Sequence, residues 1–201
     1  MLFEPKAEYT VKKPNLSPQV IEKLTDRYKH APAPEEIYYY IYAILDSNIY
    51  RTKYGEFLKI DFPRIPFTGD YKLFGKMAGY GKKLVDLHLL KTQELNYPAV
   101  KYQGKGNDKV EKVNYDSKEG RIYINDTQYF EGIPEKVWQY QIGGYQVLSK
   151  WLKDRKKRVL TLDDTKHYCK VAMSLKKTIE VQKTIDEFYP EVEKETVEFK
   201  K

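Results

Sequence analysis

Apolar residues recur at helical spacing through the first half of this 201-residue chain and again at its end, with a two-residue alternation between. Ser17-Pro18 supplies an N-cap and a first-turn proline, and Val20, Ile21, Leu24 and Tyr28 then share one helical face. Ala31-Pro32-Ala33-Pro34 breaks that helix and launches another, on which Ile37, Tyr38, Ile41, Ile44 and Leu45 recur. Ser47 is expected to cap a further helix running to about Leu58. Asp61-Phe62-Pro63-Arg64-Ile65-Pro66 cannot be helical, because each proline restricts itself and its predecessor. From Asp70 a long helix is predicted, with Leu73, Phe74, Met77, Leu84 and Leu87 as its stripe. The first sixteen residues read as an extended lead-in.

The middle of the chain changes period. Residues 110–115, 121–125 and 129–131 are short β-branched or aromatic runs separated by turn residues, which predicts a small antiparallel sheet. Asp116-Ser117-Lys118-Glu119-Gly120 reads as a hairpin loop and Asn125-Asp126-Thr127 as a turn. Trp138, Tyr140 and Ile142 alternate with Gln139 and Gln141, so 137–142 is expected to be a strand. Gly143-Gly144 then returns the pattern to a helix with Val147, Leu148, Trp151 and Leu152 inside. Thr161-Leu162-Asp163-Asp164 has capping-box spacing. The last helix carries Tyr168, Val171, Leu175, Ile179 and Ile185, and is expected to fray after Tyr189-Pro190. Helices, a small sheet and helices again make an α+β fold, helices flanking a small antiparallel β-sheet with a C-terminal helical segment. The chain divides into a lead-in and first helix (1–34), a central recognition region (35–160) and a C-terminal helix and tail (161–201).

Charge narrows the class of partner. The net charge is +7, and it is uneven: residues 1–160 carry +8 and residues 161–201 carry −1. A basic body with a near-neutral tail favours an anionic partner, nucleic acid first. No apolar run reaches membrane-spanning length, and the N-terminus does not read as a secretory signal. A single cysteine, Cys169, excludes an internal disulfide and a cysteine-built zinc site. A cytoplasmic protein without a membrane partner is expected.

A search for catalytic chemistry returns little. His30, His88 and His167 stand apart from any second ligand at metal spacing, and Cys169 has no neighbouring base on its face. Gly79-Tyr80-Gly81-Lys82-Lys83 fails as a phosphate loop: Lys83 occupies the magnesium-holding position and no strand precedes it. Glu111-Lys112 lacks the context of a nuclease motif. No catalytic residue, metal or cofactor is assigned.

Two basic sets remain. On the helix after Gly144, Gln146, Lys150, Lys153 and Lys157 fall on one stripe opposite Trp151, and Arg155, Lys156 and Arg158 extend the charge past its end. The second set, Lys101, Lys105, Lys109, Lys112, Lys118 and Arg121, lies in the strand region, where Gly104, Gly106 and Asn107 suggest a mobile loop. Lysine and arginine can neutralise phosphates, and glutamine or arginine can read base edges. The DNA-binding candidates are therefore Lys101, Lys105, Lys109, Lys112, Arg121, Gln146, Lys150, Lys153, Arg155, Lys156, Lys157 and Arg158. If the two sets share one face, the pattern supports DNA; if they scatter, it supports a module that couples protein parts.

Longer strings carry a family resemblance. Ile41-Tyr42-Ala43-Ile44-Leu45-Asp46-Ser47, the segment from Phe57 through Asp61-Phe62-Pro63-Arg64-Ile65-Pro66-Phe67, Tyr123-Ile124-Asn125 with Gln128-Tyr129-Phe130, and Ile142-Gly143-Gly144-Tyr145-Gln146-Val147-Leu148 with Lys150-Trp151-Leu152-Lys153-Asp154-Arg155 resemble the C-terminal target-recognition (specificity) domain of type ISP and related type IIG restriction–modification enzymes. The likeness covers about residues 35–185. It implies sequence-specific recognition of double-stranded DNA beside an adenine-N6 methyltransferase domain and a nuclease part. No Asn-Pro-Pro-Tyr and no Phe-x-Gly-x-Gly motif is present, so S-adenosylmethionine would belong to a separate methyltransferase domain. The resemblance implies a detached or truncated specificity domain, with base-reading residues within about 92–135 or on the Gln146 helix; the helical ends, especially residues 161–188, are expected to dock on a methyltransferase domain or a partner chain.

Overall fold

The computed structural model describes residues 14–96 and 99–199; the extended lead-in expected at the N-terminus lies, up to residue 13, outside them. Helix α1 (Pro18–Tyr28) opens on its proline and stops at Lys29, whose φ of 56° ends the turn. Helix α2 (Pro34–Asp46) buries Ile37, Tyr40, Ala43 and Ile44, while Tyr38 stays 52 % exposed. The apolar face is thus one residue round from the expected one on Tyr38. The Ser47 hydroxyl accepts the Tyr50 N–H at 3.2 Å and caps α3 (Asn48–Lys53), which ends sooner than expected, a 3₁₀ turn at Phe57–Lys59 taking over. Helix α4 (Tyr71–His88) begins where Asp70 accepts the N–H groups of Lys72 and Leu73.

Gly81 explains the glycine-lysine string that resembled a phosphate loop. It lies inside α4, and a Cβ there would stand 1.8 Å from the Tyr39 carbonyl oxygen, so glycine is what lets α4 close on α2. Tyrosines then fasten the proline-rich connection over these helices. Tyr28, Tyr40 and Tyr50, one from each of α1, α2 and α3, donate their hydroxyls to the carbonyls of Thr68, Pro66 and Arg64. An irregular segment leaves its carbonyls unpaired, and a buried phenol supplies both apolar area and the missing donor.

The sheet is antiparallel with strand order β1-β4-β3-β2, formed by β1 (Lys101–Gln103), β2 (Asn114–Asp116), β3 (Arg121–Tyr123) and β4 (Tyr129–Glu131). Register pairs Tyr102 with Phe130, Ile122 with Phe130, and Tyr115 with Ile122, which sets one apolar face against the C-terminal helix. Strand β1 carries one apolar residue in three and has no sequence signal; pairing with β4 makes it a strand. The expected 110–115 strand begins only at Asn114, because Val110 is buried and pairs elsewhere.

The expected strand over 137–142 is mostly something else. Pro134 starts a helical turn, α5 (Glu135–Trp138), which lays Trp138 on Tyr115 at 5.3 Å. Only β5 (Gln141–Ile142) is extended, and it pairs with β6 (Tyr145–Gln146). Gly143 and Gly144, at φ 57° and 81°, are the two-residue turn of this hairpin rather than a strand-to-helix switch. Helix α6 (Val147–Lys153) follows.

Helix α7 (Leu162–Val192) starts at the expected capping box, with the Asp164 N–H donated to the Thr161 hydroxyl and the Thr161 N–H to the Asp164 carboxylate. It does not fray at Pro190: buried Tyr189 and Val192 carry it on to Val192. Its buried Tyr168 meets Phe130 of the sheet at 4.3 Å and Trp151 of α6 at 4.9 Å. One apolar cluster runs from Leu24 to Val192 and takes in much of the apolar face of α7, while Leu162 at the start of that helix stays exposed.

Candidate nucleic-acid interface

The two basic sets meet through the backbone. The Val110 N–H donates to the Arg158 carbonyl at 2.9 Å, Lys157 N–H to the Val110 carbonyl at 2.7 Å, and Leu160 N–H to the Asp108 carbonyl at 2.8 Å. Lys109 and Val159 thereby form a β-bridge between segments about fifty residues apart in the chain. The segment carrying Lys105, Lys109 and Lys112 is laid directly against the one carrying Lys156, Lys157 and Arg158.

The glycine-rich loop expected to be mobile is fastened. The Gln128 side chain accepts the Asp108 N–H at 2.8 Å and donates to the Asp108 carboxylate at 2.6 Å, to which the Tyr102 hydroxyl also donates. Asn125 donates to the Lys109 carbonyl, and the Thr127 hydroxyl donates to the Lys105 carbonyl. Gly104, at φ 96°, lies so close to Thr127 that a Cβ would stand 2.0 Å from its carbonyl oxygen. Asn125-Asp126-Thr127 reads as a turn in the sequence; that it and Gln128 also grip a loop about twenty residues upstream has no one-dimensional signal.

Each sequence-predicted cation has a definite environment. Lys105, Lys109, Lys112, Lys153, Lys156, Lys157 and Arg158 have no ion-pair partner among the described residues, and of these only Lys109 is more than superficially covered. Lys157 falls beyond the seven-residue α6, at φ 68°, so the expected four-residue stripe is broken: Gln146 precedes the helix without a capping hydrogen bond, Lys150 and Lys153 ride on it, and Lys157 joins the neighbouring loop. Lys150 is paired with Asp154 at 2.9 Å. Arg121 is paired with Glu119 and, at 3.8 Å, with Glu131, and lies over the Tyr129 ring. Arg155 serves the fold: its guanidinium stands 3.5 Å from the centre of the Trp151 ring, donates to the Trp151 carbonyl and lies 3.5 Å from Asp164. The Asp164 carboxyl is held below its usual range by the Thr161 N–H, then by the Thr161 hydroxyl and Arg155.

Lys101 lies apart from this cluster, on a cleft of about 630 Å³ between β1 and α7 where Lys166 and Lys170 also stand. Those two lysines, four apart on one helix face, are basic residues near a predicted candidate that sequence reasoning passed over.

The groups that could have carried chemistry are otherwise engaged. His88 is bound on both nitrogens, by the Tyr42 hydroxyl at 2.6 Å and the Thr178 hydroxyl at 3.1 Å, and burial pushes its pKa down. Burial pushes the Cys169 thiol up to about 11, which leaves it unreactive near neutrality. Among the described residues no group of three or more His, Cys, Asp or Glu converges as a metal site, and no helix is long and apolar enough to cross a membrane.

Comparison with known proteins agrees with this architecture. A cryoEM structure of a DrdV–DNA complex matches 84 % of the chain at 21 % identity with a TM-score of 0.64. A nuclease-deletion mutant of the Type ISP restriction–modification enzyme LlaGI, in complex with a DNA substrate mimic, matches 85 % at 23 % identity with a TM-score of 0.56. The ATP-dependent Type ISP enzyme LlaBIII, bound to DNA, matches 90 % at 24 % identity with a TM-score of 0.55. At these identities the likeness is one of fold, and the chain spans only 19 %, 17 % and 12 % of the three matched chains. No curated protein matches. The family model of the Type ISP C-terminal specificity domain matches residues 2–184, nearly the whole chain, and the chain belongs to that family.

Proposed function

We propose that this chain recognises double-stranded DNA in a sequence-specific way, as the non-catalytic specificity domain of a restriction–modification enzyme whose methyltransferase and nuclease parts lie in other domains or subunits. The observation that carries this reading is the backbone pairing of residues 108–110 with 157–160, which gathers unpaired cations from both basic sets on one edge. Cations with no internal partner, mounted on a fastened loop, keep their full charge for phosphates. Membership of a specificity-domain family supports the same reading, and the likeness in fold to three DNA-bound enzymes adds to it. A reducing cytoplasm, where such DNA lies, suits the lone buried Cys169.

The test is fluorescence anisotropy of a labelled mixed-sequence duplex, titrated across salt. Each phosphate neutralised adds about −0.9 to the slope of log affinity against log salt. Changing Lys109, Lys112, Lys157 and Arg158 together to glutamate is expected to weaken binding at least about ten-fold and to flatten the slope by roughly 0.9 for every phosphate that no longer meets a cation. An unchanged slope would remove this edge from the DNA surface.

Protein coupling, the other reading, has its own observation. Ile60 and Phe62 are 84 % and 87 % exposed on the connection just before Pro63, and the residues that follow, Arg64, Ile65 and Pro66, line a cleft of about 380 Å³ with Tyr50, Tyr54 and Phe57. If that connection, rather than α7, contacts a methyltransferase part, Ile60→Ser with Phe62→Ser should lower co-purification with that part while leaving DNA anisotropy unchanged.

A further inference from the structure

Packing explains least about the hairpin of β5 and β6. Ile142 and Tyr145 flank its turn at 59 % and 63 % exposure, and a Cβ added at Gly143 or Gly144 would meet nothing within 4 Å. The ribbon therefore stands clear of the body, with its two largest apolar side chains at the tip. The next pair, Gln141 opposite Gln146, has side-chain amides that make no hydrogen bond among the described residues. Beneath the ribbon is a concavity of about 450 Å³ lined by Gln141, Tyr145, Gln146, Lys150, Lys153 and Asp154 among others, with the Lys150 ammonium 2.9 Å from the Asp154 carboxylate and 5.6 Å from the centre of the Tyr145 ring.

Size and chemistry select the occupant. Two apolar side chains at a tip fall far short of the roughly 800 Å² per partner that a stable protein interface buries. Paired glutamine amides match the donor and acceptor of an adenine edge, small apolar contacts match a thymine methyl, and a two-stranded ribbon fits a major groove about 12 Å wide but not a minor groove of about 6 Å. Helix α6 leads from the ribbon toward the basic turn at 155–158; its seven residues span roughly 10 Å. That length is close to a groove width, so cations at 153 and 156–158 fall where the phosphates bordering the groove would lie.

We propose that residues 141–146 form a ribbon reader that enters the major groove, Gln141 and Gln146 on base edges and Ile142 and Tyr145 against apolar base surface, with α6 and the 155–158 turn on the flanking phosphates. The proposal rests on the duplex-binding reading above and adds which residues read sequence: Gln146, already a candidate, together with Gln141, Ile142 and Tyr145 of the hairpin, rather than residues of the 92–135 segment.

Selection of bound duplexes from a random pool by the full chain supplies the probe, and anisotropy compares the selected duplex with a scrambled one. Ile142→Ala with Tyr145→Ala, and separately Gln141→Ala with Gln146→Ala, are expected to weaken the selected duplex about ten- to hundred-fold. Both should bind the scrambled duplex with wild-type affinity and salt slope. Replacing adenine by 7-deaza-adenine in the selected duplex removes the major-groove N7 acceptor and should weaken the wild type but not the glutamine variant, while dimethyl sulfate should find adenine N3 in the minor groove unprotected. Circular dichroism verifies folding, and Tyr145→Phe, which keeps the ring, should keep most of the preference. Hairpin variants with undiminished preference overturn the proposal, as does protection confined to adenine N3 in the minor groove, or a selection that yields no preferred sequence although duplex is bound. Variants that bind DNA fully but lose a methyltransferase partner assign the tip to protein docking and overturn it equally. A wild type that binds no duplex sinks the DNA reading itself, a failure distinct from the others.

Discussion

The helical frame and the basic edge differ in how their charges are held. In the frame, paired and unpaired cations are mixed: Lys53 meets Glu193 at 2.6 Å, Lys82 meets Asp86 at 2.8 Å, and Arg27 meets Glu195, while Lys72, Lys76 and Lys83 of α4 have no ion pair among the described residues. Glu193 accepts from Tyr54 and Tyr189 as well, and these partners hold its carboxyl below the usual range against the burial that would raise it. At the edge formed by residues 105–112 and 155–158, Lys105, Lys109, Lys112, Lys156, Lys157 and Arg158 have no such partner among the described residues, although the backbone beneath them is held at many points by hydrogen bonds. A surface that only needed solubility would not require a rigid mount for its charges. Rigid backbone with free charge is the combination that lowers the ordering cost of binding a polyanion.

The contrast breaks hardest in the frame. Gly81→Leu would force a Cβ into the Tyr39 carbonyl, and the loss of stability should exceed the roughly 1–3 kcal/mol usual for overpacking, read as a lower denaturation midpoint in urea. DNA affinity should fall only as far as the folded fraction does. A smaller and more local effect is expected of Gln128→Ala, which leaves the Asp108 N–H without its partner and its carboxylate with the Tyr102 hydroxyl alone, at a cost of about 1–3 kcal/mol. Hydrogen exchange at Asp108 and Lys109 should quicken while α4 stays protected, and DNA binding should weaken although no cation has been removed. Unchanged binding would show that the rigid mount is irrelevant. The smallest effect belongs to Asp164. Its folded pKa lies below the unfolded value, so its contribution is complete above the ordinary carboxylate range and is lost as pH falls through the lowered folded pKa. Asp164→Asn should therefore flatten the acid limb of the stability curve below about pH 4, measured by urea melts, and leave neutral-pH DNA affinity nearly as it was.

Helices were the most legible part. The proline before α1, the Ser47 and Asp70 caps and the Thr161–Asp164 box act within one turn, and each element starts where these residues put it. Strands were less so: β1 has no pattern of its own, and the alternation at 137–142 yielded to Pro134 and to the stacking of Trp138 on Tyr115. The basic residues were visible as residue types, but Arg155 and Arg121 could not be told from Lys157 or Arg158 until Trp151, Asp164, Glu119 and Glu131 were in place around them.

Local chemistry, then, was enough for the α+β class, the helix starts, the positive body and, through whole strings of residues, the family. Folding was needed to join residue 110 to residue 158, to seat Gly81 on Tyr39, to raise the 141–146 hairpin clear of the body, and to choose which cations remain free. The physical reason is range and orientation: caps, prolines and periodicity act over a few residues, whereas joining residue 110 to residue 158 or Gly81 to Tyr39 spans more than forty, and even the nearer partners of Arg121 and Arg155 meet them only where the packed backbone aims the side chains together.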